Sequence, residues 1–149
     1  MQKKQRVLFL CSGNSNRSQM AEAFLENIAG NRFEALSAGL ETKNSIHPMA
    51  IAVMREKGID ISSKKTKGVD AFLGKEFIHY LIVLCDVARE ACPHVWPGML
   101  PECRFYWPTP DPAGLQGSEE EKLHAFRTVR DEIEKKIEQW VKEQTGKAN

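Results

Sequence analysis

The sequence predicts an α/β fold: an open, mostly parallel four-stranded sheet with helices on both faces. Three observations carry that reading. Val7-Leu8-Phe9-Leu10 is an unbroken apolar run, the pattern of a strand covered on both sides. It stops abruptly at Cys11-Ser12-Gly13-Asn14, and from Ser18 the period changes, with Met20, Ala21, Phe24, Leu25 and Ile28 on one helical face. The alternation of strand and helix then repeats along the chain, as in sheets whose ligands sit at the carboxyl ends of the strands.

Gly30 offers the first helix a stop, and a second strand is expected over Phe33 to Ala38. Pro48, favoured in a first turn, opens a helix that runs through Ile51 and Met54 to Gly58. Ile78 to Leu84 reads as the third strand and Arg104 to Trp107 as a weaker fourth. Ser118 and Glu121 form a capping box for the last helix, whose Leu123, Phe126, Val129, Ile133, Ile137 and Trp140 recur every three or four residues. Lys142 to Asn149 is expected to be a loose tail. His47 and His79 read as helix-start and strand residues, and Trp96, Trp107 and Trp140 as packing or loop anchors.

Residues 1–149, at 42% hydrophobic and 28% charged, suit a single domain. Twenty-one Lys and Arg against twenty Asp and Glu leave a net charge of +1, which supplies no broad field for nucleic acid or an anionic membrane. The polar start, Met1 to Arg6, precedes only four apolar residues, too few for a signal-peptide core or a membrane span. A cytoplasmic monomer is expected. In that compartment thiols stay reduced, so Cys11, Cys85, Cys92 and Cys103 are read for chemistry before they are read as staples.

Cys11-Ser12-Gly13-Asn14-Ser15-Asn16-Arg17-Ser18 sets a cysteine six residues before an arginine. The spacing alone is weak, but its place between a buried strand and a helix strengthens it. A loop of small residues entering a helix turns successive backbone N–H groups inward, and the helix dipole adds positive charge. Residues Ser12, Gly13, Asn14, Ser15, Asn16 and Arg17 thus make a nest for a tetrahedral oxyanion, with the Arg17 fork on two of its oxygens. The same field stabilises a Cys11 thiolate, and the Ser18 hydroxyl is placed to bond the sulfur. The bland alternative is a buried Cys11 and a solvated Arg17.

Expulsion of an oxygen from the bound anion is eased by a carboxylic acid. Asp111, between Pro110 and Pro112, is the candidate, with a plain turn aspartate as its alternative. Cys85 closes the third strand and Cys92 follows seven residues later. A helical segment between them would rise about 10 Å. A disulfide needs Cα atoms within about 7 Å, so joining them requires that segment to unwind toward solvent. Two inert buried thiols are one alternative, and zinc on Cys85, Cys92, His94 and Cys103 is another, though the tight Cys-x-x-Cys pairs of structural sites are missing.

Together these residues resemble the low-molecular-weight protein tyrosine phosphatase superfamily, and its thioredoxin-coupled arsenate reductase branch in particular. The resemblance covers nearly the whole chain. It rests on Cys-x-Gly-Asn-x-x-Arg-Ser, Arg17-Ser18-Gln19-Met20-Ala21-Glu22, Ser37-Ala38-Gly39, His47-Pro48, Gly58-Ile59-Asp60-Ile61-Ser62, Cys85 with Cys92, and Asp111-Pro112-Ala113-Gly114. Phosphatases of this superfamily usually carry aromatic residues after the Asp-Pro, where this chain has Ala113 and Gly114, and they lack the Cys85 and Cys92 pair.

The resemblance implies that arsenate adds to Cys11 while Asp111 protonates the departing hydroxyl. Cys85 then attacks Cys11 as arsenite leaves, Cys92 attacks Cys85, and thioredoxin reduces the final disulfide. Phosphate and sulfate are the expected competing oxyanions. No tightly bound cofactor is implied beyond a potassium ion found in some relatives, with Asn14, Glu22, Ser37 and Asp70 as matching positions. Asn16 stands where a further cysteine is common, and Cys103 has no role in the pattern beyond mispairing with the relay or packing at a strand start. The competing readings are a phosphatase working through a phosphocysteine, and a non-catalytic oxyanion or thiol sensor module.

Overall fold

The computed structural model describes residues 4–85 and 99–147. Four parallel strands, β1 (Gln5–Cys11), β2 (Phe33–Gly39), β3 (Tyr80–Val83) and β4 (Arg104–Tyr106), form one sheet in the order β2-β1-β3-β4. Among the described residues the α-helices are α1 (Arg17–Ala29), α2 (Pro48–Arg55) and α3 (Glu119–Lys147), and α1 and α3 pack together. Neighbouring residues of a strand face opposite sides, so the burial of all four of Val7, Leu8, Phe9 and Leu10 covers β1 on both faces. The chain leaves β1 for β2 on one side and returns to β3 on the other. That reversal opens a crevice at the carboxyl end of β1, where Cys11 lies.

The helix starts follow their sequence signals. His47 caps α2, its Nδ1 accepting the Met49 N–H at 3.1 Å. Ser118 and Glu121 close both arms of the capping box, Glu121 N–H on Ser118 Oγ at 3.1 Å and Ser118 N–H on Glu121 Oε1 at 3.2 Å.

Two elements depart from expectation. The third strand is four residues long and excludes His79, whose backbone N–H donates to Arg6 O while its Nδ1 accepts the Arg6 N–H. The imidazole thus takes the place of a ladder carbonyl beside β1. The tail is helical through Lys147 instead of loose from Lys142. Its packing explains this: Trp140 is buried against Phe33, Tyr80 and Phe105, and one turn later buried Gln144 accepts from Arg32 through its carbonyl. No helix among the described residues is long and apolar enough to cross a membrane.

Candidate active site

Cys11 is the last residue of β1 and is 2% exposed. The chain turns back over it through Asn14, at a left-handed φ of 55° that asparagine tolerates, and enters α1 at Arg17. Asn14 N–H donates to Cys11 Sγ at 3.2 Å, and Ser18 Oγ lies 2.8 Å from the same sulfur. The loop therefore curls around the thiol at the positive end of a 13-residue helix.

Asn14 is fixed from every side. Its Nδ2 donates to Ser18 Oγ at 2.8 Å, and its Oδ1 accepts from Gln19 Nε2 at 2.9 Å and from the Lys67 backbone N–H at 2.7 Å. The cradle's outer carbonyls are engaged by the following segment: Ser12 O by Glu41 N–H, Gly13 O by Lys43 N–H and Ser15 O by His47 N–H. With those carbonyls held outward, the loop's inner side is left to its N–H groups. Gly39 lies directly against the cradle, where a Cβ would stand 2.7 Å from Asn14 N and 2.8 Å from Gly13 C. Only glycine permits that approach.

Arg17 is 1% exposed, and its guanidinium bridges the two halves of the site. Nη1 donates to Thr109 O at 2.9 Å, Nη2 donates to Ser12 Oγ at 3.1 Å, and Nη2 lies 3.7 Å from Asp111 Oδ2. Asp111 Oδ1 also accepts from Asn16 Nδ2 at 3.2 Å and from Ala113 N–H at 3.0 Å, while the carboxyl stays 41% exposed. The acid's loop is pinned to the sheet by Trp107 N–H on Val83 O and Thr109 N–H on Leu84 O. The sequence offered Asp111 as an acid from its chemistry and its Pro-flanked loop without bringing it to the cradle; these bonds do so.

A cavity of about 460 Å³ opens beside Ser15, Asn16, Lys43, His47, Asp111 and Ala113, and its described lining holds no Phe, Tyr or Trp. Lys43, which the sequence reading passed over, runs its side chain over Gly13 and adds positive charge at this mouth. Burial holds His47 below the usual imidazole range, opposed by the charge of Asp111.

Cys85 is fully buried. Leu84 N–H donates to Leu10 O, so Cys85 follows at the same sheet edge as Cys11. Cys92 and His94 lie outside the described residues. Cys103 is half-buried at the amino end of β4, the opposite edge of the sheet from Cys11, which separates it from the Cys11 and Cys85 edge.

Of the four positions matched to a cation, only Glu22 and Ser37 touch. Glu22 Oε1 accepts from Ser37 Oγ at 2.9 Å, while Asn14 is linked to Glu22 only through Lys67, whose backbone N–H its Oδ1 accepts. Asp70 is exposed on a 3-10 turn (Val69–Ala71), and among the described residues no hydrogen bond or ion pair ties it to the others. Lysines fill the vicinity instead: Lys64 Nζ lies 2.7 Å from Glu22 Oε2 and 2.6 Å from Glu26 Oε1, and Lys67 Nζ lies 3.8 Å from Glu22 Oε1.

Comparison with known proteins places the chain and its fold in a family. The chain is 38% identical over 144 residues to an arsenate reductase of Halalkalibacterium halodurans, an alignment covering 97% of this chain and 99% of that protein. A solved arsenate reductase in the phosphate binding state superposes with a TM-score of 0.77 at 33% identity, covering 93% of this chain and 98% of the other. A thioredoxin-dependent arsenate reductase of Corynebacterium glutamicum superposes with a TM-score of 0.69 at 28% identity, covering 94% of this chain and 61% of that one. The family model described as low molecular weight phosphotyrosine protein phosphatase matches residues 6–148. A match running from the first residues of β1 to the end of α3 makes this chain a member of the low molecular weight phosphotyrosine protein phosphatase family.

Proposed function

We propose that this chain is a cytoplasmic arsenate reductase that works through a covalent adduct on Cys11 and a relay of Cys85 and Cys92 reset by thioredoxin. The observation that carries the reading is the pair of buried cysteines, Cys11 and Cys85, at the carboxyl edge of adjacent strands. Hydrolysis of a phosphate ester uses one cysteine, whereas two-electron reduction needs a second redox-active cysteine beside the first. The names of the relatives point the same way.

In the fully reduced enzyme, arsenate sits among the cradle N–H groups with Arg17 on its oxygens. The Cys11 thiolate attacks arsenic, an S–As bond forms, and an As–O bond breaks as Asp111 gives the departing oxygen its proton, releasing water. The Cys85 thiolate then attacks the Cys11 sulfur. The S–As electron pair stays with arsenic, which leaves as arsenite, and a Cys11 to Cys85 disulfide forms. Cys92 displaces Cys11 from that bond, and the resulting Cys85 to Cys92 disulfide is reduced by thioredoxin through exchange. Phosphate and sulfate compete for the cradle as tetrahedral anions of similar shape.

The test is arsenite production from arsenate with thioredoxin, thioredoxin reductase and NADPH. Wild type is expected to turn over many times, Cys11→Ser not at all, and Cys92→Ser at most once per enzyme. No arsenite from folded, reduced wild type that still hydrolyses phosphate esters would overturn the reading in favour of a phosphatase.

A further inference from the structure

In the second turn of α1, Glu22 is 6% exposed. A carboxylate that deep must be met by positive charge and by donors. Ser37 Oγ occupies Oε1 at 2.9 Å, and Lys64 Nζ occupies Oε2 at 2.7 Å while also reaching Glu26 at 2.6 Å. Lys67 Nζ adds a second ammonium 3.8 Å from Oε1. Two carboxylates, Glu22 and Glu26, thus face two ammonium groups, and the cluster is neutral without any added ion.

The oxygen donors that an alkali ion would need are in use. Asn14 Oδ1 already accepts from Gln19 Nε2 and the Lys67 N–H, and a metal ion at Glu22 would have to displace Lys64 or sit against its charge. The residues present do not fit a potassium ion.

We propose that Lys64, backed by Lys67, is a built-in cation that takes the place of the potassium ion found in some relatives, and that it acts as a positioning residue for the cradle. The route is short. Residues 64–67 are clamped to α1 by the Lys64 ammonium on Glu22 and by Gln19 Nε2 on Lys65 O at 3.0 Å, and to the cradle by the Lys67 N–H on Asn14 Oδ1 at 2.7 Å. Asn14 in turn donates its own N–H to the Cys11 sulfur. Anchoring Lys64 therefore holds the segment whose backbone keeps Asn14 in its left-handed turn. A tethered ammonium does this at any potassium concentration, whereas a bound ion does it by mass action.

Thermal unfolding of the full chain, in potassium chloride and in choline chloride at equal ionic strength, tests this without reference to the substrate. Wild type is expected to melt at the same temperature in both salts. Lys64→Ala/Lys67→Ala is expected to melt lower in choline chloride and to recover by about 2 °C or more in potassium chloride. Its KM for arsenate should rise in choline and fall back in potassium, with kcat moving less. Lys64→Gln, which keeps most of the aliphatic stem and removes the charge, gives the same readout if the double variant does not fold. A potassium-specific rise in wild-type Tm overturns the proposal, as does a variant destabilised equally in both salts, which would mark a plain buried ion pair. Because the melting arm needs no turnover, its result stands apart from whether arsenate is the substrate.

Discussion

The Ser18 hydroxyl lies 2.8 Å from the Cys11 sulfur, and Asn14 Nδ2 donates to that same hydroxyl oxygen at 2.8 Å. Once the thiol is ionised the sulfur has no proton to give, so the hydroxyl's own proton points at it. Asn14 N–H reaches the sulfur from another direction at 3.2 Å. In the proposed reaction, two donors converging on Sγ favour the sulfur both as attacking nucleophile and as leaving group. Ser18→Ala removes one of them. A hydrogen bond to a charged group contributes roughly 1.5–3 kcal/mol, so adduct formation should slow by about 10- to 150-fold. Single-turnover arsenite release by a variant with a native circular-dichroism spectrum measures this, and an unchanged rate would refute the assigned role.

Gly39→Ala should damage the site from behind. Its Cβ would meet backbone atoms, Asn14 N at 2.7 Å and Gly13 C at 2.8 Å, and neither can swing away as a side chain would. Overpacking of this kind typically costs about 1–3 kcal/mol. Here the strain falls on the cradle, so phosphate affinity should drop more steeply than stability. Denaturant melts and calorimetric titration with inorganic phosphate separate the two, and retained phosphate affinity would show that the cradle can shift as a unit.

The strands and helices were legible because their signals are local. The apolar run at Val7–Leu10, Pro48 at a helix start and the Ser118 and Glu121 box each act within a few residues. The end of α3 was not legible, because Gln144 is held by Arg32 from across the chain. His79 misled for a similar reason, its ring substituting for a strand carbonyl only in the presence of Arg6. The loop that wraps Cys11 and carries Arg17 was readable from composition and placement. The support was not: Gln19 and Gly39 stood in quoted runs without a role, and Lys64 to Lys67 carried no signal of their own until folding set them against Glu22.

Arg17→Lys keeps the charge and loses the fork. Arg17 spans Thr109 O and Ser12 Oγ with separate nitrogens, fixing the guanidinium plane over the cradle. A lysine ammonium cannot hold both partners and also present two donors to one anion. The loss of at least one charged hydrogen bond, about 2 kcal/mol, predicts a fall in kcat/KM for arsenate of roughly 30-fold or more. Steady-state kinetics at fixed thioredoxin reads it directly. A variant within about threefold of wild type would mean that charge alone, without the fork, suffices.

Stability should fall on acidification in two stages with different owners. Burial holds His47 and His79 below 6.5, and each uses Nδ1 to accept a backbone N–H, from Met49 and Arg6, a bond that protonation there would break. The unfolded chain therefore takes up these protons first, and their contribution, full above about pH 6.5, is lost as pH falls below it. Glu56 answers lower down. Hydrogen bonds from Arg127 and Arg130 hold its carboxyl down to about 2 from 4.5, so its contribution is present above 4.5 and is lost as pH falls toward 2. Glu56→Gln should remove only that second stage. The Tm gap between wild type and Glu56→Gln is then expected to be widest near neutrality, to narrow below about pH 4.5, and to shrink with added salt, because the Arg127 pair is solvent-exposed. A gap that stays constant from about pH 7 to about pH 3 would mean that Glu56 contributes through packing instead of charge.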